Sequence, residues 1–301
     1  MFSHFFQASR CAMRGHGQAI KRGFSVSSRS CEGIGDLSVA DRLSMKGKTV
    51  LVTGGGRGIG FAVCKAVAQM GGNVEKPVDE FSELSKKFGS TAVYQQADVT
   101  KQDSLEAAFS SVVDSLGEIH GCVPAAGIAI DKPFFEHQWE ECQRVLAVNT
   151  LGTFWTTKLV SQHMSEHGKG GSIVMIASIA AQGFKIPLQN ISIYNMSKAA
   201  VKGLAGPLAV EMGPHKIRVN TISPGIILSP MTIALKTQYP KLLNMFEHAA
   251  PADRIGVPED LTPAIIYLLS DAASFTTGTD IVISGGIHAG TSMAWTERSM
   301  G

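Results

Sequence analysis

A tyrosine and a lysine lie four residues apart in the run YNMSK, a spacing that suits proton transfer. In a helix, residues four apart share a face, so the ammonium group of Lys198 can reach toward the phenol of Tyr194. A free tyrosine has a pKa of about 10 and is a poor base near neutrality, and a neighbouring positive charge favours its ionised form. Ser178 precedes the pair at the end of the apolar stretch GGSIVMIAS. We predict a general acid–base site; the alternative is a half-buried ring beside a solvated charge.

A glycine-rich segment, KTVLVTGGGRGIGFAVCKAVAQMG, begins at Lys48. Its β-branched opening predicts a strand over residues 49–53, the glycines predict a turn, and the apolar spacing that follows predicts an amphipathic helix. Glycines let the backbone turn tightly and approach a ligand, while unpaired amides at a helix start favour an anion. We predict a nucleotide phosphate site here, with an ordinary glycine-rich turn as the alternative. The helical positions at i, i+3, i+4 and i+7 are Val63, Ala66, Val67 and Met70.

Strands and helices alternate along the rest of the chain. TAVYQQADVT predicts a strand ending at Asp98, and HGCVPAAG, GGSIVMIAS, KIRVNTISPG and DIVISGG predict further strands. Helices are predicted over DSLEAAFSSVVDSLG, from Trp139 to His163, and around Tyr194. The alternation predicts an α/β protein with a single doubly wound, Rossmann-like parallel sheet flanked by helices. Ligands of such sheets bind beyond the carboxyl ends of the strands, where Gly54, Asp98, Gly127, Ser178 and Pro224 fall.

The motifs together resemble the short-chain dehydrogenase/reductase superfamily over residues 44–288. The resemblance rests on the glycine spacing TGxxxGxG, on Asn149 in LAVNTLG, and on the Ser178, Tyr194 and Lys198 set. The segments DKPFFE, RVLAVN and RIGVPEDL are similar to those of fungal polyol dehydrogenases and ketose reductases, which act on sorbitol/sorbose, mannitol/fructose or arabinitol/ribulose. The resemblance implies NAD or NADP as cofactor, no metal, a small polyol or ketose substrate, and a homo-oligomer, either a dimer or a tetramer.

The resemblance also implies a role for each catalytic residue. Tyr194 is the general acid in reduction and the base in oxidation, and Lys198 lowers its pKa and holds the nicotinamide ribose. Ser178 hydrogen-bonds the reacting oxygen, and Asn149 fixes a water in a proton relay to Lys198. The alternative for each of them is a polar surface or capping residue.

The same resemblance implies where the cofactor binds. Asp98 and Val99 meet the adenine, although Asp98 could instead cap a helix. Gly127 ends the fourth strand near the cofactor, and the loop SPGIILSPM packs over the nicotinamide, unless it is only a turn. The implied cofactor-binding residues are Gly54, Arg57, Gly58, Ile59, Gly60, Asp98, Val99, Gly127, Tyr194, Lys198, Pro224, Gly225, Ile227, Ser229 and Met231.

Two prolines depart from the expected pattern. Pro124 enters a strand predicted to be central, where it cannot donate to the ladder, so we expect a local distortion there. Pro207 falls inside the helix that begins near Tyr194 and predicts a kink or a cost of about 3 kcal/mol. Because Pro207 lies well past Lys198, we expect the catalytic pair to be unaffected.

A larger departure follows Val74. Relatives place a full second strand there, ending in the residue that contacts the adenosine ribose, whereas here GGNV passes directly into EKPVDEFSELSKKFG. About six residues are missing relative to that pattern, and strands typically run about 5 to 6 residues. The second strand is therefore predicted to be truncated, and the acidic residue that usually selects NAD has no counterpart. Arg57 could favour a 2′-phosphate, or it could be a solvated arginine, so the preference between NAD and NADP stays open.

Composition limits the classes of function. With 301 residues, 44% hydrophobic and 17% charged, the chain can bury one sizeable core. Beyond residue 31 there are 22 basic against 25 acidic residues, which argues against a nucleic-acid surface. No run of some 20 apolar residues predicts a membrane span. The five cysteines show no CxxC or zinc spacing and are interpreted as free thiols in a reducing compartment.

The first 31 residues are rich in arginine and serine and contain no acid. This composition predicts mitochondrial import, with a disordered cytoplasmic tail as the alternative. We interpret residues 1–44 as a presequence-like or disordered extension, 45–290 as the dehydrogenase domain and 291–301 as a tail. The expected function is NAD(P)-dependent interconversion of a sugar alcohol and a ketose. The alternatives are another carbonyl substrate, such as a lipid-derived ketone, or a catalytically dead nucleotide-binding scaffold with a damaged sheet.

Overall fold

The computed structural model describes residues 37–75, 88, 90–183, 189–230, 232–233 and 246–290. The amino-terminal extension up to residue 36, the tail at 291–301 and the predicted cofactor contact Met231 lie outside these residues. A short helix, α1 (Val39–Leu43), lies within the segment that the sequence assigns to the extension. Arg42 Nη2 donates to the carbonyl oxygen of Ala272 at 3.4 Å, so this helix contacts the catalytic domain.

Parallel strands form one sheet, as predicted. Among the described residues the sheet has seven strands in the order β3-β2-β1-β4-β5-β6-β7, and every neighbouring pair is parallel. Strand order reverses between β1 and β4, which is the crevice where ligands of doubly wound sheets bind. The strands are β1 (Thr49–Thr53), β2 (Asn73–Glu75), β3 (Ala92–Val93), β4 (Gly121–Pro124), β5 (Gly171–Ile176), β6 (Ile217–Pro224) and β7 (Asp280–Ile283).

Helices cover both faces of the sheet. A five-residue π-helical turn, Ala147–Leu151, joins α4 to α5. Among the described helices, none combines the length and apolarity needed to cross a bilayer. The helices after α1 are α2 (Gly58–Gln69), α3 (Gln102–Leu116), α4 (Trp139–Leu146), α5 (Gly152–His167), α6 (Ser192–Met212) and α7 (Thr262–Leu269).

Side-chain alternation along β1 divides the core into two layers. Val50 and Val52 belong to the apolar cluster that includes residues of α2 and α7. Leu51, between them, belongs to the cluster that includes residues of α3, α5 and α6. Successive side chains of a strand point to opposite faces, so each cluster fills one side of the sheet. This packing fixes the register of the strands that carry the site.

In the part of the chain that the structure describes, which breaks off after Glu75, the β1–β3 side of the sheet has short strands. Within these residues β2 comprises three residues and pairs with β1 at two positions, Thr49↔Asn73 and Val50↔Val74. The predicted strand ending at Asp98 is wrong in extent, because β3 comprises only Ala92 and Val93. A strand such as β3 needs a neighbouring strand to pair its backbone groups. Its neighbour β2 is described only as far as Glu75, which pairs with Val93.

The structure confirms the distortion expected at Pro124 and the intact catalytic turns expected ahead of Pro207. β4 pairs with β1 through Pro124, but its pairing with β5 stops at Cys122. Ala125 N donates to Thr53 O of β1. Because successive backbone N–H groups of a strand point to opposite sides, the N–H group that Pro124 lacks would face β5. Pro207 lies inside α6, and the first two turns of that helix still carry Tyr194 and Lys198. The distortions therefore leave the catalytic positions in place.

Candidate active site

Three elements at the carboxyl ends of the strands hold the four predicted catalytic residues. Tyr194 and Lys198 lie in the first two turns of α6. Ser178 follows β5 and caps a short 3-10 helix, Ile179–Gln182, by accepting from Ala180 N at 3.1 Å. Asn149 lies in the π-helical turn between α4 and α5. Such turns are rare and occur frequently at functional sites.

The phenol of Tyr194 is in contact with Ser178. Burial raises the pKa of Tyr194 above its ordinary value, and a hydrogen bond with the side chain of Ser178 partly opposes that rise. The expectation that Lys198 lowers this pKa is wrong in its net result, because burial dominates the pKa of the Tyr194 phenol. Removal from water disfavours the phenolate, so Tyr194 is neutral near pH 7 and suited to donate a proton.

Lys198 is buried beside the tyrosine. Its Nζ lies 5.8 Å from the centroid of the Tyr194 ring and donates to the carbonyl oxygen of Ile176 at 2.8 Å. Burial lowers its pKa from 10.5 to about 8. Lys198 therefore keeps most of its charge at pH 7, close to the atom where negative charge would develop on the phenol.

A hydrogen-bonded network fixes the position of Asn149. Its Oδ1 accepts from Ile128 N at 2.8 Å, and its Nδ2 donates to Ile128 O and to Ser197 Oγ, both at 2.9 Å. Ser197 Oγ in turn donates to the carbonyl oxygen of Tyr194 at 2.7 Å. Asn149 thus ties the π-helical turn to the catalytic helix and to the segment after β4. Its role in a water relay stays a prediction.

Sequence reasoning missed Ser197. The residue is fully buried, three positions after Tyr194 in the run YNMSK, and it joins the asparagine to the backbone of the catalytic turn. Its position in that run is the only signal that could have identified it. A buried serine needs a hydrogen-bond partner, but the sequence does not say which one.

Close backbone approaches explain two glycines of the turn after β1. A Cβ on Gly54 would lie 2.7 Å from Ala126 N, and Gly54 also has a positive φ of 67°. A Cβ on Gly60 would lie 2.5 Å from the carbonyl oxygen of Gly54. Neither position can accept a side chain without moving the backbone. The turn is therefore held tightly against the segment after β4.

The start of α2 is suited to a phosphate. Arg57 is its N-cap, and no side chain caps the first turn, so the amide groups there, from Gly58 through Ile59, have no side-chain acceptor. The Arg57 side chain is exposed. Uncapped amides at a helix N-terminus attract an anion, which is what a dinucleotide pyrophosphate supplies. The tight turn and the open helix start fit a dinucleotide.

Gly127 leaves space beside the catalytic residues. A Cβ there would lie 3.5 Å from Asn149 Oδ1 and 3.7 Å from Lys198 Nζ. Gly127 lies three residues beyond β4, so the prediction that it ends this strand is wrong, but it does meet the π-helical turn and the catalytic helix at one point. The predicted site residues Gly127, Asn149 and Lys198 are thus brought together, as the sequence indicates.

Asp98 is held in a turn that precedes α3. Its Oδ1 accepts from Thr100 N at 3.0 Å and from Thr100 Oγ1 at 2.6 Å, and these bonds hold the pKa of Asp98 below its ordinary value. The N-cap of α3 is Lys101, so the alternative that Asp98 caps the helix is wrong. Val99 packs on α5, where a Cβ on Gly152 would lie 2.9 Å from Val99 Cγ2. Contact of Asp98 and Val99 with adenine stays a prediction.

The loop after β6 is packed rather than being a simple turn. A Cβ on Gly225 would lie 2.6 Å from Ser284 Cα, so this loop lies directly against the segment after β7. Ile227 is buried and pairs with Gly256 in an isolated bridge, and Ser229 Oγ accepts from Thr232 N at 3.3 Å. Pro224 is the last residue of β6, immediately before this loop. Contact of this loop with nicotinamide stays a prediction.

Comparisons with known proteins bear on this arrangement. The family model described as enoyl-(acyl carrier protein) reductase matches residues 54–288. Sorbose reductase of Schizosaccharomyces pombe is 36% identical over 81% of this chain and 96% of its own length. A 3beta-hydroxysteroid dehydrogenase of Eggerthella lenta is 34% identical over 81% of this chain and 94% of its own length. The chain belongs to the short-chain dehydrogenase/reductase family.

A solved structure supports the same assignment. NADPH-dependent 3-quinuclidinone reductase of Rhodotorula rubra superposes with a TM-score of 0.76 at 32% identity, covering 83% of this chain and 94% of that one. This short-chain dehydrogenase/reductase is therefore an oxidoreductase that uses NAD or NADP and acts on a small molecule. Among the described residues, no group of three or more His, Cys, Asp or Glu side chains could hold a metal ion.

Proposed function

We propose that this protein interconverts a ketose and a sugar alcohol, of the sorbose/sorbitol, fructose/mannitol or ribulose/arabinitol type. The observation that carries the proposal is the 36% identity to sorbose reductase over 81% of the chain, together with the contact between Ser178 and Tyr194. A second sorbose reductase, from Candida albicans, is 33% identical over 83% of the chain. Similarity to two such enzymes supports a hydroxylated carbonyl substrate.

The side chains divide the chemistry of reduction among them. A bound nicotinamide dinucleotide supplies the hydride. Tyr194, neutral at physiological pH, gives its proton to the carbonyl oxygen, and Ser178 hydrogen-bonds that oxygen as it gains negative charge. Lys198 stabilises the phenolate that remains. Asn149 and Ser197 keep the catalytic turn of α6 in register with the segment after β4.

A substrate panel tests the proposal. Purified protein is mixed with NADH or NADPH and with sorbose, fructose or ribulose. Absorbance of the cofactor is followed at about 340 nm, where reduced nicotinamide absorbs. We expect at least one ketose to be reduced, and the Tyr194→Phe variant to lose that activity. Consumption of cofactor at the same rate with and without every ketose would contradict the proposal.

An apolar ketone is the second candidate, favoured by the 34% identity to a 3beta-hydroxysteroid dehydrogenase. The same assay therefore includes a 3-ketosteroid. A kcat/KM for the steroid at least about a hundredfold above that of every ketose would replace the first proposal, since this ratio corresponds to roughly 2.7 kcal/mol of transition-state preference.

We also propose that the protein is a homo-oligomer, a dimer or a tetramer. Large apolar side chains are exposed along α4, the π-helical turn and α5: Trp139 is 73% exposed, Leu151 54% and Phe154 44%. Large exposed apolar side chains on neighbouring elements are a feature of protein interfaces. Light scattering on the purified protein should give at least twice the mass of one chain, and Phe154→Glu should lower that mass.

Mitochondrial import remains a proposal that rests on the first 31 residues. They carry five basic residues and no acidic ones. Fusing residues 1–36 to a fluorescent protein should direct it to mitochondria, and replacing the basic residues by glutamine should abolish import. A fusion that stays in the cytoplasm would favour the alternative.

A further inference from the structure

Two histidines lie at the amino-terminal edge of the sheet, the opposite edge from the candidate active site. His120 immediately precedes β4, and its Nδ1 accepts a hydrogen bond from Thr49 N, the first residue of β1, at 3.1 Å. His163 lies in α5, and its Nε2 accepts from Ile119 N, just before β4, also at 3.1 Å. The two rings therefore bind the backbone where two neighbouring strands of the sheet begin.

These bonds fix the protonation state of both rings. A backbone N–H group can only donate, so the ring nitrogen opposite it carries a lone pair and no hydrogen. A neutral imidazole has one such nitrogen, whereas a protonated imidazole donates from both. His120 is therefore neutral with its hydrogen on Nε2, and His163 is neutral with its hydrogen on Nδ1. Protonation of either ring would place two donors opposite each other.

The surroundings of His163 disfavour its charged form. The residue is only 7% exposed, and the ring of Phe109 meets it edge-on with 5.6 Å between centroids. The ring of His167 lies 4.2 Å away, centroid to centroid. Burial and then this second histidine lower the pKa of His163. The titratable groups around the ring are His167, Glu118, Glu166 and His120.

His120 has a carboxylate beside it, but that carboxylate is already paired. His120 Nε2 lies 3.9 Å from Glu118 Oε2, and the same oxygen accepts from Lys169 Nζ at 2.6 Å. Burial lowers the pKa of His120, Glu118 opposes that shift, and the positive charges of Lys169 and Lys48 add to it. Burial and these two lysines thus act against a proton on His120.

We propose that His120 and His163 form an acid-sensitive latch, which holds the amino-terminal ends of β1 and β4 while both rings are neutral and opens when either ring is protonated. Thr49 and Ile119 are buried, at 3% and 1% exposure, so an N–H group that loses its ring acceptor is left unpaired at a cost in free energy. The latch lies at the other end of the strands from Tyr194. The inference therefore does not depend on which carbonyl compound the protein reduces.

Unfolding measured at two pH values tests the latch. In the unfolded chain a histidine binds a proton below a pKa of about 6.5, whereas the latched rings resist protonation. As the pH falls below that value, the unfolded state gains protons that the folded state does not, and the unfolding constant rises by up to about tenfold per pH unit for each histidine. In urea titrations at one protein concentration, we expect a rise of at least about tenfold between about pH 7.5 and 5.5.

Two variants keep the hydrogen-bond acceptor and remove the titration. Asparagine places its Oδ1 near the position of a histidine Nδ1, and glutamine places its Oε1 near that of Nε2. His120→Asn and His163→Gln should each reduce the acid-induced rise in the unfolding constant at least about threefold. The matched control is His215→Gln, because the exposed His215 bonds the hydroxyl of Ser165 at 2.6 Å, and a hydroxyl can accept from a protonated ring. This control should leave the rise unchanged.

Hydrogen exchange of the wild-type protein gives a second readout that does not require the variants to fold. After correction for the intrinsic pH dependence of exchange, the peptides that contain Thr49 and Ile119 should lose protection at about pH 5.5 before the peptides of β6 do. Two results would overturn the proposal. One is an acid-induced rise in the unfolding constant that is the same in the wild type and both variants, and the other is equal protection of the two latch peptides at both pH values.

Discussion

The two sides of the sheet are built to different degrees. β5 and β6 pair at six positions and β6 and β7 at four, whereas the described part of β2 pairs at two positions with each neighbour. The complete side supports Ser178, Tyr194 and Lys198, and the incomplete side lies beside the glycine turn. The catalytic candidates and the predicted adenosine site therefore depend on separate elements of the fold. A loss on one side can therefore leave the other side intact.

The largest effect is expected from removing the phenol on the complete side. Tyr194→Phe should lower kcat about 10²- to 10⁴-fold, the range typical of a lost general acid, because the variant lacks the phenolic proton that the carbonyl oxygen would receive. Fluorescence titration should show that NADH and NADPH still bind, since the glycine turn is untouched and Tyr194 is one of many implied cofactor contacts.

Tyr267→Phe is the control for this variant. The Tyr267 hydroxyl bonds Thr276 Oγ1 at 2.8 Å, outside the site, so activity should stay at the wild-type level. Loss of cofactor binding in Tyr194→Phe would mean that the two sides of the sheet are not independent.

The glycine turn offers the converse experiment. In Gly54→Ala the new Cβ would lie 2.7 Å from Ala126 N at a positive φ, and strain of about 1–3 kcal/mol should weaken cofactor binding roughly ten- to a hundredfold. Gly56→Ala is the matched control, because a Cβ there meets nothing within 4 Å. Calorimetry with NADH compares the two variants. Equal losses in both would show that the close approach to Ala126 is not what matters.

The pH dependence of reduction should report Lys198. Burial lowers its pKa to about 8, so its charge is lost as the pH rises through that value, whereas Tyr194, with its raised pKa, stays protonated. We expect kcat/KM to fall about tenfold per pH unit above pH 8, because this parameter reports groups of the free enzyme. Lys198→Arg keeps its charge over this range, so its profile should be flat there, whatever its absolute rate. If kcat/KM of Lys198→Arg falls above pH 8 as it does in the wild type, the titrating group is not Lys198.

The smallest effect is expected at Gly127. The Cβ added in Gly127→Ala would come no closer than 3.5 Å to Asn149 Oδ1 and 3.7 Å to Lys198 Nζ, which are ordinary contacts. Steady-state kinetics should therefore show a loss in kcat/KM of less than about tenfold. A loss as large as that of Tyr194→Phe would mean that the space beside Lys198 has to be empty.

The sequence predicted the positions of the catalytic candidates in the fold, for a physical reason. Helix periodicity places Tyr194 and Lys198 on one face, and the end of an apolar strand places Ser178 at the carboxyl edge of the sheet, so local rules are enough. The π-helical turn around Asn149 and its bond to Ser197 were not predicted, because they depend on how α4, α5 and α6 pack.

Two expectations failed because they depend on surroundings. Residues 91–98 have the composition of a strand, but their pairing with the described part of β2 stops at Val93, and strand formation depends on such neighbours. The pKa of Tyr194 rises because the ring is removed from water, and spacing along a helix does not reveal burial. Both errors concern the environment of a residue rather than its type.

Isotope transfer is the most direct test of the central claim, that hydride transfer at this site is completed by the proton of Tyr194. The protein is given reduced cofactor carrying deuterium at the transferable position, together with its best ketose, and the product alcohol is analysed by mass spectrometry. We predict that each product molecule gains one deuterium on the former carbonyl carbon, and that Tyr194→Phe forms almost no labelled product. Unlabelled product from the wild type, or undiminished labelling with Tyr194→Phe, would contradict the account.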